Sequence, residues 1–112
     1  MNADQRFSGR SMYLVQILLP CADNFGKAFP REDFEQVKAG LAERFEGVTA
    51  YLQAPAEGLW REGRRWTPDD IIIFEVMTDE VDLAEWRERR ARYERHFKQE
   101  RVIIRYMSIA VV

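Results

Sequence analysis

The chain predicts an α+β fold: a four-stranded antiparallel sheet with two helices packed on one face. Three observations predict it. Strand-like and helix-like runs follow one another in the order β-α-β-β-α-β. The series fits within 112 residues, the length of one domain. Each strand-like run also separates into two alternating sets of side chains, one of them apolar enough to receive both helices.

Residues 1–10 are mostly polar, with Gly9 and Phe7 among them, and read as a flexible tail, which leaves 11–112 as a single domain. The first strand is expected over 12–19, with Tyr13, Val15, Ile17 and Leu19 on one side and Met12, Leu14, Gln16 and Leu18 on the other. Pro20, Asp23, Asn24 and Gly26 then mark a loop. Pro30 suits the first turn of a helix, where its missing N–H costs nothing, and Glu32 and Asp33 complement the positive end of the dipole. Phe34, Val37, Leu41 and Phe45 recur at spacings of 3, 4 and 4, a helical stripe, and Gly47 is the expected stop.

Residues 48–53 alternate as a second strand. Residues 54–69 are irregular; Glu62-Gly63 between Leu59-Trp60 and Arg65-Trp66 predicts a short hairpin. Residues 70–77 form a near-continuous apolar run, the mark of a central strand buried on both sides. Thr78 or Asp79 is the expected cap of the second helix, whose stripe is Leu83, Trp86, Tyr93 and Phe97. Residues 102–110 complete the sheet.

Hydrophobic residues make up 46% of the chain and charged residues 32%, with a net charge of −2. That supports a packed core and lacks the basic footprint of a general nucleic-acid binder. The lone Cys21 excludes an intramolecular disulfide. Arg6 and Arg10 before Met12–Leu19 and Cys21 have the order of a lipoprotein signal, but Gln16 interrupts the run and Pro20 stands where a small residue is needed. No run is long enough to span a bilayer, so a cytoplasmic protein without membrane or nucleic-acid partners is expected.

Period-2 alternation assigns the helix-facing side to Val15, Ile17, Val48, Ala50, Leu52, Ile72, Phe74, Val76, Ile104 and Tyr106, among others. The opposite side carries Leu14, Leu18, Ile71, Ile73, Met77, Ile103, Met107 and Ile109. A water-facing sheet would be richer in Lys, Glu and Thr, so this side needs a cover. A second copy of the chain is the simplest one, giving a homodimer with two sheets face to face. In the strand order 4-1-3-2, Glu75 and Arg105 flank Gln16 at one height on that side. Gln16, Tyr51, Glu75 and Arg105 are therefore the candidate ligand-binding residues. Arg105 would hold a carboxylate or enolate, and desolvated Glu75 would accept a proton. The competing reading is a structural ion pair at the interface.

His96, the only histidine, joins Glu75 and Arg105 as a candidate for catalysis; a boundary role on the second helix is the alternative. Trp60 and Trp66 with Arg61, Arg64 and Arg65 suit either an anion contact or packing on a rim. The mixed charges of 85–95 fit a solvated helix face with i, i+4 pairs. No dinucleotide fingerprint, phosphate loop or metal-ligand spacing is present, and neither cofactor nor metal is expected.

The element order with an apolar outer sheet face resembles the ferredoxin-like dimeric α+β barrel superfamily. Gly47-Val-Thr-Ala-Tyr51, Pro55-Ala-Glu-Gly-Leu-Trp60 and Asp69-Asp-Ile-Ile-Ile-Phe-Glu-Val-Met77 also resemble a group of small uncharacterised bacterial proteins. The resemblance covers residues 12–110 and implies a pocket in the barrel interior or between sheet and helices. It also implies a function among cofactor-independent monooxygenases, isomerases, haem-binding enzymes or proteins of unknown role. Two functions follow as expectations: a homodimer binding a small organic ligand in or beside the barrel, in one form a cofactor-independent enzyme, or a non-enzymatic ligand-sensing or interaction module.

Overall fold

A computed structural model describes residues 10–53 and 70–112. The elements are β1 (Arg10–Pro20), α1 (Arg31–Arg44), β2 (Val48–Gln53), β3 (Ile71–Thr78), α2 (Leu83–His96) and β4 (Ile103–Val111). All strand pairs are antiparallel, and the sheet runs β2-β3-β1-β4. This is the expected β-α-β-β-α-β order and the expected 4-1-3-2 arrangement, an α+β fold of the ferredoxin-like type. Residues 1–9 and the expected Trp60–Trp66 hairpin lie outside the described residues.

One face of the sheet and both helices build the core. Val15, Ile17 and Leu19 of β1 and Phe74 and Val76 of β3 meet Val37, Leu41 and Phe45 below α1, and Trp86, Tyr93 and Phe97 along α2. The aromatic members lock the two helices together: Phe45 stacks on Trp86 at 5.3 Å, and Phe29 and Phe34 pack on Phe97 at 5.1 and 5.4 Å. The core stops short of the sheet's edges. Val48 and Ile104 still pack against it, whereas Ala50, Leu52 and Tyr106, assigned to the helix side by alternation, are exposed. β2 and β4 are the edge strands, and the helices cover the centre.

Local polar groups set the ends of the elements. The loop after β1 closes through the Ala22–Ala28 bridge. The Asp23 carboxylate accepts from the N–H groups of Phe25 and Lys27 at 2.8 and 2.9 Å, and Gly26 takes the positive φ of 82° that the turn requires. Pro30 is the residue before α1 rather than within it, and α1 ends at an extended Phe45, ahead of Gly47. α2 is capped by Asp82, not Thr78 or Asp79: its carboxylate accepts from Ala84 and Glu85 N–H at 3.0 and 3.3 Å. The Thr78 hydroxyl instead donates to the Glu80 carbonyl at 2.9 Å.

The charged face of α2 is only partly solvated. Arg90–Glu94 is a loose i, i+4 pair, as expected. Glu85, however, receives Arg44 of α1 through Nε and Nη2 at 2.9 and 3.1 Å and Arg89 through Nη2 at 3.4 Å. The Arg89 guanidinium lies 5.7 Å from the centres of both the Phe45 and Trp86 rings, with its Nε buried and no hydrogen-bond partner. No helix among the described residues is long and apolar enough to cross a membrane.

Candidate functional site

On the sheet face away from the helices, three polar side chains stand in a row. The antiparallel register sets Gln16 of β1 opposite Glu75 of β3 on one side and Arg105 of β4 on the other. Residues directly opposite one another on paired strands project from the same face, so all three share it. Tyr51 of β2 lies opposite Ile73, one step along from Glu75, within the diagonal reach of a long side chain.

These four residues form a continuous hydrogen-bonded chain. Arg105 Nε donates to Gln16 Oε1 at 2.7 Å, and Gln16 Nε2 donates to Glu75 Oε2 at 2.5 Å. The Tyr51 hydroxyl donates to the same Glu75 oxygen at 2.9 Å, with Gln16 Nε2 3.4 Å from it. The direction of the chain is determined chemically. Arginine can only donate, which assigns the Gln16 oxygen to Arg105 and its amino group to Glu75. The two opposite charges flank Gln16 as expected, and the amide bridges them. Gln16 is 7% exposed and uses both ends of its amide, as a buried polar group must. Glu75 accepts from Tyr51, and this hydrogen bond is the main cause that raises the tyrosine pKa above its ordinary value; partial burial and the carboxylate charge act the same way, and Arg105 opposes them.

A cleft of about 610 Å³ lies beside this chain, toward the first residues of β1 and β2 and the last residues of β3 and β4. Met12, Leu14, Met77 and Val111 form its apolar wall; Thr49, Glu75 and Glu46 supply polar groups, and Gly47 closes the α1–β2 turn beside them. Its volume is in the range of small-molecule sites. Arg105 is not among the lining residues, and it connects to the cleft through Gln16. The sheet face is unevenly covered: Gln16 and Ile73 at its centre are buried, while Met77, Ile103 and Met107 are about half exposed.

The remaining candidates lie elsewhere. His96 ends α2 on the helix side of the sheet, and its Nε2 lies 2.9 Å from Asp33 Oδ1 in the first turn of α1. A hollow of about 210 Å³ with Gln36, Arg92 and Tyr93 surrounds that pair. The structure thus separates His96 from Glu75 and Arg105 by the full thickness of the core. Asp33 was legible only as a helix-dipole residue, because its partner is contributed by the other helix. Cys21 is buried, and its backbone bonds to Asp70 and Phe29. Alternation already places Met12 on the cleft's side of the sheet, whereas Glu46 and Val111 went unnoticed in the sequence because one lies between α1 and β2 and the other ends β4, where alternation carries no signal. No group of three or more His, Cys, Asp or Glu residues among the described residues is placed to hold a metal ion.

No protein-family model, curated protein or solved structure matches the chain. Fold and site chemistry are therefore the grounds for a functional reading.

Proposed function

We propose that the protein is a homodimer that binds a small organic ligand on the sheet face opposite its helices. The observation that carries this reading is the 610 Å³ cleft with the Glu75 carboxylate in its wall, next to a polar chain that fixes that carboxylate in place. A preformed apolar cavity with a few oriented polar groups is the usual form of a ligand site. Gln16 and Tyr51 hold Glu75, and Arg105 orients Gln16 from the far side. The second copy is supported by the half-exposed Met77, Ile103 and Met107 on the same face. Four strands about 4.8 Å apart and strands some eight residues long give a face of roughly 500 Å². Two such faces bury about 1,000 Å², the lower end for a specific interface.

Binding is common to an enzyme and to a ligand sensor. Turnover would use Glu75 to accept a proton from the ligand, in line with the cofactor-independent reactions that the fold resemblance implies. Sedimentation tests the assembly. The expected result is a species of twice the 13.3 kDa chain mass at micromolar concentration, converted to the single chain by Met107→Asp. A lone 13.3 kDa species in the wild type would overturn the homodimer.

A further inference from the structure

The outer edge of β4 lacks the features that keep an edge strand from pairing. β4 borders β1 on one side, and no strand follows it on the other among the described residues. An edge strand turns every second N–H and C=O outward, a ready template for another strand. Natural edges are blunted by short length, lysine, proline or a bulge. β4 is nine residues long and carries neither proline nor lysine. Its register against β1 runs unbroken from Arg10 opposite Val111 to Leu18 opposite Ile103, so no bulge turns the edge away. Its one charge, Arg105, is directed inward to Gln16 of β1.

Apolar side chains flank that edge on both faces of the sheet. Ile103 and Met107 are about half exposed on the open face, and Tyr106 and Leu83 are so on the helix side. Tyr106 and Leu83 also line, with Val81, Trp86 and Ile104, a hollow of about 200 Å³ between α2 and β4. A strand added here gains backbone hydrogen bonds and side-chain burial on both faces.

We infer that β4 is the docking edge for the β4 strand of a second copy, joined antiparallel into one continuous sheet. Length selects this occupant. β2, the other edge, has six residues and would leave three of the nine in β4 unpaired, whereas a second β4 matches them all. A two-fold axis at Met107 gives full overlap, with Ile103 opposite Val111, Arg105 opposite Ile109 and Tyr106 opposite Ser108. In that register no charge faces a like charge. The contact is isologous, the commonest kind between identical chains. About eight to ten hydrogen bonds form along it, two at every second pair. Little more than a strand edge is buried, so the contact is of the small, transient class and forms at higher concentration than the proposed closure of the two open faces. It uses a different surface and holds whether or not those faces close.

Amide hydrogen exchange of the full chain, followed residue by residue by NMR, tests the pairing. At about 50 µM, alternate N–H groups of β4 should exchange freely, as on an unpaired edge. At about 1 mM the same groups should slow by about fivefold or more, by mass action, while the outward N–H groups of β2 stay fast. Tyr106→Lys combined with Ser108→Lys sets lysine against lysine across the contact, on the helix side of the sheet. That variant should lose the concentration dependence and keep the protection of the N–H groups bonded to β1. An alternating pattern that is the same at both concentrations would show the edge unpaired. Slow exchange at both concentrations that the lysines leave unchanged would show a segment of the same chain on the edge. Slowing that appears on β4 and β2 together would make β2 the strand that β4 meets. Each of these three outcomes overturns the pairing of β4 with its own copy.

Discussion

Tyr51 shows how one side chain reports on the whole polar chain. Its phenol donates to Glu75, so ionising it would place a phenolate against a carboxylate. The hydrogen bond to Glu75 is the largest cause of its raised pKa, followed by burial and the Glu75 charge. The sign is that of an acid held in its neutral form. The stabilisation is fully present below the unfolded value of about 10 and is lost as pH rises through the higher folded value. The difference between the ultraviolet pH titrations of wild type and Tyr51→Phe isolates this phenol from the other three tyrosines. Its midpoint should lie above 10, and Glu75→Gln should bring it back toward 10. A midpoint at or below 10 would show that the Tyr51–Glu75 hydrogen bond is not maintained in solution.

At the scale of elements, the end of α2 carries a conformational cost that a single substitution can relieve. Gln99 N–H donates to the Glu94 carbonyl at 2.9 Å and Lys98 N–H to the Arg95 carbonyl at 3.4 Å, the two bonds of a Schellman motif. Such a motif needs a left-handed residue, and here it is Lys98, with φ of 51°. An L side chain in that region costs about 1–2 kcal/mol, part of which glycine returns through its larger unfolded-state entropy. Lys98→Gly should therefore stabilise the protein by roughly 0.5–1 kcal/mol and raise Tm by about 3–5 °C in a thermal melt. An unchanged or lower Tm would contradict the left-handed geometry. The same element shows what the sequence could and could not reveal. The Trp86, Tyr93 and Phe97 stripe was legible because burial imposes the helical period directly. The left-handed turn was hidden because lysine gives no sign of it. Asp82 was hidden as a cap because Thr78, Asp79 and Glu80 stand just before it, and only the path of the chain off β3 selects among them. The polar row on the sheet was legible for the reason the helices were: Gln16, Glu75 and Arg105 each interrupt an apolar alternation, and antiparallel register brings the interruptions to one height. The cleft was not, since its walls come from four strand ends whose meeting depends on register rather than on local pattern.

For the whole molecule, the polar row also constrains how a second copy can lie on the sheet. Glu75 and Arg105 sit on opposite sides of β1 at equal height, one anionic and one cationic. A two-fold axis parallel to β1 preserves height and exchanges the two sides, so Glu75 meets Arg105 of the partner subunit. An axis across the strands preserves the sides and sets like charge against like, which disfavours association. Complementary charge therefore selects the first arrangement for the proposed homodimer, with both sheets running in nearly the same direction, as in aligned sheet packing. Charge reversal tests it across the interface. Glu75→Arg gives a protomer with two cations on the row, and Arg105→Glu gives one with two anions. Each alone should sediment as a monomer, because every facing pair would repel. An equimolar mixture should recover dimer, because each facing pair is then opposite in sign. Both variants keep their internal defects in the mixture, since each has lost a hydrogen bond to Gln16, so recovery on mixing must come from contacts between protomers. A mixture that stays monomeric would show that these charges do not face each other across the two sheets.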